Sequence, residues 1–243
     1  QRVQAQGIPV LIQGESGTGK EVFARALHTE GRRAARPFVA LNCAALPETL
    51  IEAELFGHEA GAFTGATKAR AGRFEEADKG TLFLDELGTL SMAAQERLLR
   101  AVEYGEVTRV GSSRPLRVDV RIVAATNEHL PALVDDNRFR ADLLDRLSFE
   151  VITLPPLRAR EGDVLVLAGY FLERTRSQFG LDGLRLEADA QAALLAHRWP
   201  GNVRELEHVI SRAALKVLSQ AESRTELLSI EAPWLGLDGN EVA

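Results

Sequence analysis

The chain has 243 residues, 45% of them hydrophobic and 26% charged, and carries a net charge of −6 at pH 7. This is the composition of a soluble globular chain of one large or two medium domains. The acidic balance, with a pI of about 5.5, excludes a molecule whose whole surface binds nucleic acid. Cys43 is the only cysteine, which rules out an internal disulfide and predicts a cytoplasmic setting. No apolar run approaches a membrane span and no signal-peptide pattern opens the chain, so no membrane role is expected. The sequence starts in mid-pattern, shortly before its first strand, as a fragment of a longer protein would.

The apolar run from Ile8 to Ile12 predicts a buried strand. Gly14 to Glu21 then reads Gly-Glu-Ser-Gly-Thr-Gly-Lys-Glu, and Val22 to Leu27 places apolar side chains at helical spacing. Strand, glycine loop, lysine and helix make a P-loop, G-x-x-x-x-G-K. Gly14, Gly17 and Gly19 let the backbone curl until several N–H groups face one point, with Glu15, Ser16 and Thr18 between them. The helix adds its positive N-terminal end, and Lys20 brings a full charge to the β and γ phosphates of a polyphosphate. The Ser or Thr that usually follows, a Mg2+ ligand, is here Glu21. Its carboxylate is expected to point away from phosphate, leaving Mg2+ to water, Thr18 or a second motif.

Pro37–Asn42 predicts a second strand and Glu48–Phe56 a short helix. Gly57 to Ala66 fits neither period and predicts an exposed loop. Gly80–Glu86 is an apolar strand ending in two acids. Ser91 caps a helix that runs to Glu103, Tyr104–Glu106 is a turn, and Val107–Val110 a strand. Val120–Thr126 is another buried strand, Phe139–Leu147 a helix, and Phe149–Leu154 a last strand. Strands alternating with helices predict a doubly wound parallel sheet. After Pro155-Pro156 the pattern is helical throughout, over Asp163–Phe179, Glu187–Ala196 and Val203–Leu218. Three parts follow: an α/β nucleotide-binding part over 1–156, a smaller α-helical lid over 157–218, and a tail or linker over 219–243 with no clear period.

Asp85 and Glu86 end a buried strand, where ligands gather in open α/β sheets. A P-loop ATPase needs one carboxylate for Mg2+ and one for the attacking water, and adjacent acids at a strand end serve both. Asn42 and Thr126-Asn127 also end strands; each suits either a turn or the orienting of a water or a catalytic Glu. Arg140 and Arg146 fit either a solvated helix face paired with Asp142 and Asp145, or an arginine finger supplied to a neighbouring subunit. Arg204 suits either a reach toward phosphates or a surface pair with Glu205 or Glu207.

Together these residues resemble the AAA+ central domain of bacterial enhancer-binding proteins, the activators of sigma-54 RNA polymerase. The resemblance covers about Val10 to Leu218. Its most specific piece is Glu54-Leu55-Phe56-Gly57-His58-Glu59 followed by Gly61-Ala62-Phe63-Thr64-Gly65-Ala66, the GAFTGA signature. The Glu after the P-loop lysine is usual in that family, and the last third is similar to its nitric-oxide-responsive branch. The resemblance implies an ATP- and Mg2+-dependent ATPase that forms a ring, a hexamer by expectation, and remodels sigma-54 holoenzyme. Gly14 to Lys20 would be Walker A, and Asp85-Glu86 Walker B with Asp85 on the metal. Asn42 would be a switch restraining Glu86, Thr126-Asn127 sensor I, and Arg204 sensor II. Arg140 and Arg146 would be fingers acting in trans, and the loop from Gly61 to Ala66 would touch sigma-54. DNA binding is expected only through a C-terminal domain outside this stretch. A small-molecule kinase is the competing enzyme class, disfavoured because no Arg-rich substrate lid is visible and the glycine-flanked loop has no task there. Another AAA+ remodelling ATPase also fits, and a DNA-binding module conflicts with the acidic charge.

Overall fold

The structure, a computed structural model, describes residues 7–160, 162–221 and 227–237. The chain divides into two units, Gln1–Gly14 with Lys20–Leu154, and Glu15–Gly19 with Pro155–Ala243.

The strands of the first unit are β1 Val10–Gln13, β2 Phe38–Asn42, β3 Thr81–Asp85, β4 Glu106–Thr108, β5 Pro115–Arg117, β6 Arg121–Thr126 and β7 Glu150–Thr153. Its helices are α1 Lys20–Thr29, α2 Glu48–Phe56, α3 Arg73–Glu76, α4 Met92–Tyr104, α5 Leu130–Asp135 and α6 Ala141–Leu147. Five strands form one parallel sheet in the order β2-β3-β6-β1-β7. Alternate side chains of the central strands enter two cores. Val10, Ile12, Phe83, Val123 and Ala125 meet Ala24 of α1, while Leu11, Leu82, Leu84, Ile122 and Ala124 meet Leu98 of α4 and Leu143 of α6. Because both faces are covered, these strands read as apolar runs rather than alternations. The Ser91 hydroxyl accepts from the Ala94 N–H at 3.1 Å, the cap its position predicts.

Helices α3 and α5 and strand β5 go beyond the sequence reading. Each spans too few residues for a hydrophobic period to register. β5 pairs antiparallel with β4, so the turn at Tyr104–Glu106 leads into a small separate hairpin.

The second unit holds α7 Asp163–Phe179, β8 Gly183–Leu186, α8 Ala188–Ala196, α9 Asn202–Gln220, β9 Leu227–Ile230 and α10 Ala232–Leu235. Phe171, Leu194, Trp199, Leu206 and Ile210 centre its core. Two expectations need correction. The unit is not helical throughout, since β8 and β9 pair in parallel with Gly183 opposite Leu227 and Leu186 opposite Ile230. Of the expected tail over 219–243, residues 222–226 and 238–243 lie outside the described residues, and the described part is not featureless: Leu228, Ile230 and Leu235 are buried in this core. Both strands are only four residues long, and each is stabilised by the other and by the helices beneath, so neither shows a period by itself. Among the described residues no helix is long and apolar enough to cross a membrane.

Candidate functional site

The parallel sheet sets the carboxyl ends of β2, β3, β6 and β1 side by side. Asn42 stands in register with Asp85, and Gln13 with Thr126; the Gly14 N–H donates to the Thr126 carbonyl at 3.2 Å. At the end of β3 the Glu86 N–H donates to the Asp85 carboxylate at 2.8 Å. Glu86 itself has φ 52 and ψ 48, a left-handed conformation that a residue with a side chain adopts at a cost. The Asn42 Oδ1 accepts from the Ala44 N–H at 2.9 Å and closes a turn. The Thr126 hydroxyl is buried and exchanges hydrogen bonds with the Glu128 backbone, whereas Asn127 is exposed.

Cys43, next to the exposed Asn42, is buried in the core. Burial, with Asp85 and Glu86 nearby, pushes its thiol up to about 12. At pH 8 only roughly one thiol in ten thousand is then a thiolate. Native protein should therefore resist a maleimide that labels the urea-unfolded chain within minutes; equal labelling rates in the two states would contradict the placement.

Lys20 opens α1 and is buried, and its Nζ donates to the Gly14 carbonyl at 2.8 Å. Glu21 turns outward and pairs with Arg25 at 2.9 Å, as a carboxylate that must avoid phosphate would. The intervening loop, Glu15–Gly19, belongs to the second unit. Thr18 is buried there, with its hydroxyl on the Glu15 carbonyl at 2.8 Å. Gly17 has φ +81, and a Cβ on it would lie 2.3 Å from the Gly201 carbonyl oxygen, so only glycine fits. The Arg204 N–H donates to the Gly17 carbonyl at 3.2 Å, which starts α9 against the loop. Its side chain is exposed, and the acids proposed as surface partners are engaged elsewhere, Glu205 by His197 and Glu207 by Arg174.

Arg140 grips Asp142 through two bonds of 2.9 and 3.0 Å, and Arg146 pairs with Glu103 at 2.9 Å. Asp145 is not the partner of Arg146 here. The sequence reading missed Gln95. It is fully buried on α4, donates to the Leu90 and Arg138 carbonyls, and accepts from the Arg140 N–H at 2.8 Å, fixing the backbone that presents Arg140. A buried Gln on an otherwise apolar helix face was the available signal.

The loop from Gly61 to Ala66 closes on itself, with the Gly61 N–H on the Ala66 carbonyl at 2.7 Å and the Ala66 N–H on the Phe63 carbonyl at 3.0 Å. Gly61 and Gly65 have φ +79 and +96, which side chains rarely adopt. Thr64 is exposed, whereas Phe63 is half-buried rather than free: its ring stands edge-on to His58, centroids 4.9 Å apart. The base of the loop is bonded to Arg70 and to Val110. Arg109 beside Val110 forms two bonds to Glu75 at 2.9 and 3.0 Å and approaches Glu59 at 3.5 Å. The Arg109 guanidinium holds the Glu75 carboxyl below its usual range. These residues are far apart in the chain, so no local signal marked them.

Residues 1–153 match the family described as Sigma-54 interaction domain, and residues 158–229 the family described as AAA+ ATPase lid domain. Among curated relatives, the Nitric oxide reductase transcription regulator NorR2 of Cupriavidus necator is 58% identical over 235 residues, covering 97% of this chain and 45% of that protein. The Anaerobic nitric oxide reductase transcription regulator NorR of Escherichia coli is 55% identical over 230 residues, covering 95% and 45%. The chain thus spans about half the length of the curated relatives it matches. The crystal structure of NtrX from Brucella abortus in complex with ATP superposes with a TM-score of 0.88 at 34% identity, covering 100% of this chain and 52% of that one. The structure of the same protein in complex with ADP gives 0.86 at 35% identity, covering 96% and 50%.

Proposed function

Because this chain belongs to the Sigma-54 interaction domain family, we propose that it is the ATP-hydrolysing, ring-forming part of a cytoplasmic activator that remodels sigma-54 RNA polymerase, in the nitric-oxide-responsive branch. The observation that carries the proposal is the rooting of the Gly61–Ala66 loop in the same unit that ends its strands in Asp85 and Glu86. A contact loop and the acids of the nucleotide site within one unit let the chemistry at those acids bias the position of the loop.

In this reading Lys20 exchanges the Gly14 carbonyl for a phosphate oxygen, and the N–H groups of the glycine loop hold the rest of the polyphosphate. No cluster of three His, Cys, Asp or Glu among the described residues could hold a metal by itself, so Mg2+ would arrive with the nucleotide and be held by Asp85. When bound, it would neutralise phosphate charge. Glu86 orients the attacking water and accepts its proton, Asn42 restrains Glu86 beforehand, and Thr126-Asn127 with Arg204 register the γ-phosphate. Arg140 and Arg146 complete the site of the neighbouring subunit. Phe63 and Thr64 meet sigma-54, while DNA is bound by another part of the full-length protein.

Two measurements test the proposal. Hydrolysis per subunit should rise with protein concentration, since each site needs a neighbour's arginine. Thr64→Ala should keep that hydrolysis yet fail to hold sigma-54 in the presence of ADP and aluminium fluoride. A flat concentration dependence, or normal sigma-54 capture by Thr64→Ala, would overturn the corresponding half.

A further inference from the structure

Three donors of the second unit take up successive carbonyls of the glycine loop. Asn202 Nδ2 donates to the Ser16 carbonyl at 3.1 Å, the Arg204 N–H to Gly17, and Arg160 Nη2 to Thr18 at 3.0 Å. The loop's one acid is held as well. Arg158 embraces the Glu15 carboxylate with bonds of 2.5 and 2.9 Å, and Asn202 adds a third at 3.1 Å. Asn202 is completely buried in a left-handed conformation, and its Oδ1 accepts from the Leu157 N–H at 2.8 Å. One side chain therefore ties the start of the lid to the loop.

A trans peptide points its C=O and N–H in opposite directions. Holding the Ser16 and Thr18 carbonyls on the lid side turns the Gly17 and Gly19 N–H groups the other way. A glycine-rich loop is otherwise free to sample many arrangements, and ordering each residue costs conformational entropy. An acid inside a phosphate-binding loop would also repel the ligand unless its charge were matched.

We propose that Asn202, Arg158 and Arg160 are positioning residues for phosphate binding: they hold the glycine loop by its carbonyls and neutralise Glu15, so that the loop's N–H groups are preset for a polyphosphate. The inference rests on the P-loop reading above. Hydrogen bonds from Arg158 and Asn202 hold the Glu15 carboxyl down at about 2, so the clamp stays charged from pH 5 to 9.

The test is ATP affinity by calorimetry, with steady-state kinetics and melting temperature, on Arg158→Ala, Arg158→Lys, Asn202→Ala and Lys20→Ala. Arg158 lies on the surface, so its variants fold. Arg158→Ala should weaken ATP binding and raise KM by about tenfold or more, with kcat at saturating ATP changed less than about twofold. Arg158→Lys should recover only part of this, because an ammonium cannot form both bonds. Adding Glu15→Gln to Arg158→Ala should cost nothing further. If Arg158→Ala and Asn202→Ala both bind ATP as the parent does while Lys20→Ala does not, the positioning role is wrong and the P-loop reading stands. If Lys20→Ala also binds ATP normally, the P-loop reading itself fails.

Discussion

Glu86→Gln is expected to bind ATP about as tightly as the parent and to hydrolyse it roughly 10²–10⁴-fold more slowly. The amide keeps the size of the side chain but cannot accept a proton from water. The backbone at this position supports the assignment. A left-handed residue costs about 1–3 kcal/mol, and a fold retains it only where surrounding bonds over-determine it. Here the Glu86 N–H is tied to Asp85 and its carbonyl accepts from both the Thr89 hydroxyl and the Thr89 N–H. The strained turn therefore survives the substitution, and the loss is chemical. Single-turnover hydrolysis alongside nucleotide affinity measures it; parental turnover, or loss of binding together with turnover, would remove Glu86 from the role.

Arg146→Ala should lower hydrolysis by about 10³–10⁵-fold, if it behaves as fingers do elsewhere, and Arg140→Ala should act in the same direction. That range corresponds to about 4–7 kcal/mol in the transition state. The local pairs of these arginines do not compete on that scale. Arg146 is exposed and Arg140 half-exposed, and surface pairs like theirs with Glu103 and Asp142 are worth about 0–1 kcal/mol. In the proposed ring, a neighbour's phosphate would therefore be able to draw either guanidinium away. Mixing decides whether the arginine acts across subunits. Lys20→Ala lacks a working site but offers its finger, and Arg146→Ala has the converse defect. Mixed rings should regain part of the hydrolysis that neither variant has alone. Mixed rings that form and stay inactive would place the arginine's effect within its own subunit.

The P-loop and the acids ending β3 were legible because each is a short-range device, whereas local pattern made Gly61 to Ala66 only an exposed loop and its contact role came from the family resemblance. A strand, a glycine-permitted turn and a helix start within a few residues dictate where Gly14 to Glu21 goes, and an apolar run closed by Asp85-Glu86 dictates a strand end. The parallel sheet was legible for the same reason, since burial on both faces leaves continuous apolar runs. What the loops and side chains meet was decided only by folding. The β8–β9 pair joins segments that show no period alone. Phe63 found His58 instead of water, Arg109 found Glu75, and Gln95 settled beneath Arg140. Asn202 and Glu15 are 187 positions apart, yet one hydrogen bond joins them. A side chain's local pattern states which bonds it can make; which partner arrives depends on how the chain closes its long loops, and that is set by the packing of the whole core.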